Sequence, residues 1–207
     1  ACAPDFKHCS LEMGGKNIII VMDDANLDLA VDGAIWGGFG TTGQRCTAAS
    51  RVAVHKGVYT AFISRFVARA KSLRVGDGLE ATSDMGPCIN EQHLKTVMSY
   101  VEIGKNNDGA KLLTGGKRLD GASDNKGWCH EPTGVGDCAA VMGIAHEGLL
   151  GTVVSVSLGD SVEQKAEGGL VRGERGARDG RVEATGPGAV CAEHVASVWV
   201  CEAEVAA

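Results

Sequence analysis

Between Arg51 and Leu73 the hydrophobic pattern changes period within a few residues, and this limits the available folds more than any other feature. Arg51-Val52-Ala53-Val54-His55 alternates like a short strand, which Lys56-Gly57 closes. Val58, Phe62, Ile63, Phe66, Val67, Ala70 and Leu73 then fall on one helical face. The same succession occurs upstream. Asn17 through Met22 reads as a buried, mostly β-branched strand, and Asp23-Asp24-Ala25-Asn26 supplies turn and capping chemistry. Leu27, Val31, Ala34, Ile35 and Gly38 recur at helical spacing until Gly37, Gly38 and Gly40 weaken the helix. Downstream, Asn90 is placed to cap a helix whose buried stripe is Leu94, Val97, Met98 and Val101, with Asp108-Gly109 ending it. Ala110 to Thr114 and Val153 to Leu158 read as further strands, and Asp160 to Lys165 as the opening of another helix. Strands and helices alternating in this way predict an α/β fold, an open and largely parallel sheet with flanking helices.

Composition narrows the function. A chain of 207 residues, 44% of them apolar, can bury a sizeable core. Lys plus Arg number 20 against 26 Asp plus Glu, a net charge of −6, so no nucleic-acid partner is expected. Ile18-Ile19-Ile20-Val21-Met22 is the longest apolar candidate and is only strand length, so no membrane span is expected. The first residues carry neither a basic nor an apolar signal region, and the chain starts without Met, as a fragment or processed product would. Eight widely spaced cysteines form no C-x-x-C pair, which predicts reduced thiols and a cytoplasmic location. Cys129, His130, Cys138 and His146 match no common zinc-ligand spacing, so no metal site is expected.

Residues 155–207 differ in character from 1–154. They contain no Ile, Phe, Tyr, Met or Asn, and eight of the 53 are Gly. Such a stretch buries little apolar area against its conformational entropy, which predicts a loose or disordered segment. Its residues are mostly those of GC-rich codons, so an out-of-frame reading fits as well. The chain therefore divides into a domain at 1–154 and a divergent segment at 155–207.

Two short segments carry the chemistry. Leu11-Glu12-Met13-Gly14-Gly15-Lys16-Asn17 sets a carboxylate before a Gly-Gly turn that leads into the first strand. Phe39-Gly40-Thr41-Thr42-Gly43-Gln44-Arg45-Cys46-Thr47-Ala48 sets a cysteine on a glycine-flanked loop after a helix. Glycines beside a reactive side chain let backbone amides approach a substrate. A thiol in such a loop is a candidate nucleophile where its environment favours the thiolate. Gly38 to Gly43 also spells G-x-G-x-x-G, but it follows a helix rather than a strand and is read as a chance match.

Together the two segments resemble the active-site signatures of the NAD(P)-dependent aldehyde dehydrogenase superfamily. There, too, the glutamate of E-[LM]-G-G-K and the cysteine of F-x-x-x-G-Q-x-C-x-A lie 34 positions apart. The resemblance continues through Arg51 to His55, the Val75-Gly76-Asp77 and Met85-Gly86-Pro87 turns, Gly109 to Lys117 and Glu131-Pro132-Thr133. It implies that Cys46 attacks an aldehyde carbonyl, that the resulting thiohemiacetal loses hydride to NAD or NADP, and that Glu12 activates the water that hydrolyses the thioester. It also implies that the backbone around Met13 meets the nicotinamide and that the Cys46 amide is one oxyanion donor. The family's other donor, an asparagine, belongs to a region upstream of this match. His93 stands where some relatives place a glutamine that touches the cofactor. His146-Glu147-Gly148-Leu149-Leu150-Gly151-Thr152 aligns with E-E-I-F-G-P, so Gly148 stands in place of the ribose-binding glutamate and Glu147 is the candidate substitute.

The resemblance further implies a small-molecule aldehyde as partner and, in the full-length family, a homo-oligomer. The family is over twice this length, and nearly all of the cofactor domain is expected to precede Ala1. Three functional readings follow: an aldehyde-oxidising catalytic-domain fragment, a cofactor-independent cysteine esterase using the same Cys46 and Glu12, or an inactive truncated relative. Trp36 and Trp128 are expected in core or interface, Cys88 as a small apolar filler and His55 as a surface or packing residue.

Overall fold

The computed structural model describes His8 and residues 15–120, 127–139, 141–145 and 149–160, with the backbone alone of 146, 189–190 and 198–201. These residues build a seven-stranded sheet. In chain order the elements are β1 (Ile18–Val21), α1 (Leu27–Phe39), β2 (Arg51–His55), α2 (Tyr59–Lys71), α3 (Glu91–Glu102), β3 (Lys111–Thr114), β4 (Thr133–Gly136), α4 (Gly143–His146), β5 (Val153–Gly159), β6 (Ala189–Val190) and β7 (Val198–Cys201). The strand order is β3-β4-β5-β2-β1-β7-β6. The central pairs β4–β5, β5–β2, β2–β1 and β1–β7 are parallel. The outer pairs β3–β4 and β6–β7 are antiparallel. The expected α/β architecture is thus present, with antiparallel strands at both edges.

Helices start where their caps allow. Asn26 Oδ1 accepts from the amides of Asp28 and Leu29 at the start of α1. Asn90 Oδ1 does the same for His93 at the start of α3. Each such cap is worth about 1 kcal/mol. Helices α1 and α2 contribute Phe39, Phe62 and Phe66, which stack at 5.9 and 6.0 Å between ring centroids. These rings pack with Ile19, Val21, Val52, Val54, Val154 and Val156 from the sheet. Each fully buried aromatic contributes roughly 1.5–3 kcal/mol. A second cluster joins Leu94, Val97 and Val101 of α3 to Val135, Ile144 and Val153.

Several features refine the sequence expectation. Met98 is 36% exposed and lies at the margin of the α3 stripe, which Leu94, Val97 and Val101 fill. Of the two positions expected for Trp36, core or interface, the core is excluded, since it is 64% exposed on α1. Strand β4 has no counterpart in the sequence reading, because its Thr-Gly-Val-Gly lacks a β-branched run. It is nonetheless buried throughout, its glycines making room for Phe66 and Leu113. Strand β7 contains Val198-Trp199-Val200, within the segment expected to be loose. The helix expected from Asp160 to Lys165 falls, after Asp160, outside the described residues. Among the described residues no helix is long and apolar enough to cross a membrane.

Candidate active site

Helix α1 ends at Phe39, where the Gly40 amide donates to the Trp36 carbonyl. The chain then makes one turn of left-handed backbone, with φ of 52°, 61° and 66° at Thr41, Thr42 and Gly43. This conformation costs a side-chain-bearing residue roughly 1–2 kcal/mol, so two threonines in succession require compensation. Thr42 is buried, and its hydroxyl donates to the Gly86 carbonyl over 3.1 Å. Gln44 spans the next loop with both ends of its amide. It accepts from the Ile89 amide at 2.9 Å and donates to the Pro87 carbonyl at 3.4 Å. At Gly43 a Cβ would collide with the Gly151 carbonyl, so only glycine fits both the backbone angle and the space. The literal G-x-G-x-x-G is therefore a helix end and a left-handed turn.

This turn delivers Cys46 to the surface as an exposed free thiol. Its own backbone is held from behind. The Asn17 side-chain amide donates to the carbonyls of Cys46 at 2.7 Å and Ala48 at 3.2 Å, and Asn17 is only 1% exposed. Gly15 packs so closely that a Cβ there would stand 2.5 Å from the Cys46 carbonyl oxygen. The Cys46 amide donates to no described group, as an oxyanion donor requires. The end of the glutamate segment and the cysteine loop are thus in direct contact.

The lysine of the same segment has a structural task. Lys16 is buried, and its Nζ donates to the Ile144 carbonyl in α4 at 3.0 Å. Arg51 in turn donates to the Lys16 carbonyl at 2.6 Å. Residues 15–17 thereby link the cysteine loop to the stretch that precedes Glu147. Asn17, Lys16, Thr42 and Gln44 all sit inside the two motifs, yet nothing in their spacing marks them as clamps. Only the pairing of the two loops in space does so.

His93 packs half-buried beside Gly151, with its Nε2 enclosed and unpartnered, and a Gly151 Cβ would lie 3.7 Å from it. Because Gly151 also touches Gly43, His93 borders the cysteine loop across a single glycine. Glu12, Met13 and Glu147 lie outside the described residues, as does Gly148. The other described cysteines are buried. Burial pushes the Cys88 thiol up to about 11, with the neighbouring Cys129 adding to it, and burial pushes Cys138 up to about 12. Of the described thiols, Cys46 alone is exposed. Trp128 lies under the Arg118 guanidinium, 5.4 Å from its ring centroid, and His55 accepts from the Gly57 amide.

The model of the aldehyde dehydrogenase family matches residues 1–167, so the chain belongs to that family. Among its relatives is the α-ketoglutaric semialdehyde dehydrogenase of Bacillus subtilis, 40% identical over 154 residues, which are 74% of this chain and 31% of that protein. The betaine aldehyde dehydrogenase of Bacillus subtilis is 40% identical over 167 residues, 81% of this chain and 34% of that protein. The crystal structure of Staphylococcus aureus betaine aldehyde dehydrogenase in complex with NAD+ has a TM-score of 0.75 at 35% identity, covering 80% of this chain and 33% of that one. The chain spans about a third of the length of the relatives it matches.

Proposed function

We propose that this chain carries the catalytic cysteine and the catalytic glutamate of an enzyme that oxidises an aldehyde to a carboxylic acid with NAD or NADP. The observation that carries the reading is the contact of Gly15 and Asn17 with the backbone of the exposed Cys46. Glu12 is three residues from Gly15, and three residues reach at most about 10 Å, so the backbone of Glu12 can lie no farther than that from the Gly15–Cys46 contact.

Cys46 attacks the aldehyde carbon as thiolate, forming a carbon–sulfur bond and placing negative charge on the oxygen. The unpartnered Cys46 amide stabilises that oxyanion, an interaction worth about 10²–10³ in rate for one donor. The Asn17 and Gln44 clamps keep amide and sulfur in fixed relation, so no reorganisation accompanies the attack. When bound, a nicotinamide cofactor supplies the hydride acceptor that turns the thiohemiacetal into a thioester. The orphaned Nε2 of His93 fits a polar group of such a ligand, and Met13 and Glu147 are the further residues assigned to holding it. Glu12 then takes a proton from water as that water attacks the thioester, and Cys46 leaves as thiolate.

The test is aldehyde-dependent reduction of NAD+ or NADP+ by the protein that carries this chain. Conversion of Cys46 to Ser should abolish it while leaving the unfolding midpoint unchanged. Undiminished reduction by the Cys46→Ser protein would overturn the assignment.

A further inference from the structure

We propose that Cys88 and Cys129 are a redox-sensitive pair, and that their disulfide locks the loop that grips the cysteine turn. Formation of the bond and its hold on the loop stand apart from the chemistry at Cys46. What the bond does for catalysis rests on the reading of Cys46 as nucleophile.

Gly86 to Ile89 hold the cysteine loop from one side. The Gly86 carbonyl accepts from Thr42, the Pro87 carbonyl accepts from Gln44, and the Ile89 amide donates to Gln44. Cys88 lies between these contacts and ties the loop back to the domain. Its amide donates to the Trp128 carbonyl at 3.0 Å, and its side chain is buried in the second core cluster. Cys129 follows Trp128 and is 3% exposed. Its own stretch is fixed just before β4. The Leu119 amide donates to the Cys129 carbonyl at 3.1 Å, and the Glu131 amide donates to the Lys117 carbonyl at 2.9 Å.

One N–Cα bond, the hydrogen bond and one peptide separate the Cα atoms of Cys88 and Cys129, which therefore lie within about 7 Å of each other. A disulfide spans Cα atoms roughly 4.4–6.8 Å apart. The two side chains also sense each other, since charge on Cys129 adds to the effect of burial on Cys88. Both are thiols in this structure. Cys138 is engaged elsewhere, its sulfur donating to the Val135 and Gly136 carbonyls.

Burial makes both thiols slow to react while the loop is closed. Pro87 and Ile89 on either side of Cys88 are exposed, so opening of this short loop brings Cys88 to solvent. Hydrogen peroxide then converts one thiol to a sulfenic acid and releases water. The second thiol displaces the sulfenic hydroxyl as another water, and the sulfur–sulfur bond forms. The two thiols lose two electrons and two protons to one peroxide. The cross-linked loop resists reopening, and Gln44 keeps its grip on it.

To test the pair, the protein that carries this chain is treated with hydrogen peroxide, remaining thiols are alkylated, and the unreduced digest is read by mass spectrometry. Cleavage after Glu131 separates Cys129 from Cys138. The Cys88 peptide should appear joined to the Cys129 peptide, lighter by two hydrogens. Amide exchange at Ile89 should slow about tenfold in the oxidised form. Dithiothreitol should reverse both effects, which it does not do for a sulfinic acid at Cys46. Cys88→Ala and Cys129→Ala should each abolish both. Comparing oxidised with reduced original protein needs no variant, so a misfolded substitution does not decide the outcome. Absence of the joined peptide at a dose that fully oxidises Cys46, or a bridge from Cys88 to Cys138 instead, overturns the pair. A Cys88–Cys129 bridge that leaves Ile89 exchange unchanged overturns the lock. Neither readout depends on turnover, so failure of Cys46 as nucleophile would leave both in place.

Discussion

The side-chain amide of Asn17 donates to the carbonyl oxygen of Cys46 over 2.7 Å, joining residues 29 positions apart in the chain. Its oxygen has no partner, so what this buried side chain contributes comes through its NH₂ group. Conversion of Asn17 to Ala leaves two loop carbonyls without their donor and should destabilise the fold by about 2 kcal/mol. The loosened Cys46 should also be acylated by an activated ester roughly tenfold more slowly. Urea unfolding and burst kinetics separate the two effects. A folded Asn17→Ala protein that acylates at the original rate would show the clamp to be structural only.

The left-handed turn before the nucleophile predicts opposite outcomes at adjacent positions. A Cβ on Gly43 meets both an unfavourable φ and the Gly151 carbonyl, so Gly43→Ala should cost roughly 3 kcal/mol and displace the loop. Thr41 is exposed at φ 52°, and its hydroxyl bonds only to the adjacent Gly40 carbonyl. Asparagine tolerates that conformation better, so Thr41→Asn should stabilise by about 0.5–1 kcal/mol. Urea midpoints at unchanged m-value measure both.

His130 predicts a pH dependence of stability. Its ring is 1% exposed, its Nδ1 lies 2.7 Å from the Thr152 hydroxyl, and burial holds it down at about 4 against an ordinary value of 6.5. In that interval the unfolded chain takes up a proton and the folded one does not. Stability from this residue is therefore complete above pH 6.5 and falls as pH drops toward 4, by on the order of 3 kcal/mol. His130→Asn should flatten this part of the stability profile, whatever it costs in packing. An acid limb of unchanged slope in that variant would assign the effect to other groups.

The sequence made most of the fold legible because periodicity and caps agree locally. Asn26 and Asn90 cap the helices they were expected to cap, and β2 runs from Arg51 to His55 as its alternation requires. Strand β4 was invisible for a tertiary reason. Gly134 and Gly136 are small because Phe66 and Leu113 fill the space above them, and neither neighbour is close in sequence. Trp36 lies outside the core because Arg45 holds its ring at the surface, and nothing in the ring's apolar character distinguished that position from a buried one. At the site, the two motifs were readable as separate segments, and their junction through Gly15 and Asn17 was not. Contacts between loops leave no periodic trace in a chain.

The most direct measurement follows the acyl group on Cys46. With an activated ester and no nucleotide, the original protein should release product after a burst, through an acyl-Cys46 that Glu12 helps to hydrolyse. Glu12→Gln should accumulate that acyl group, visible as a mass increment on the Cys46 peptide, with turnover lowered by about 10²-fold or more. Cys46→Ala should show neither burst nor adduct. Steady turnover by Cys46→Ala, or an acyl-Cys46 that decays equally fast with and without Glu12, would contradict the account.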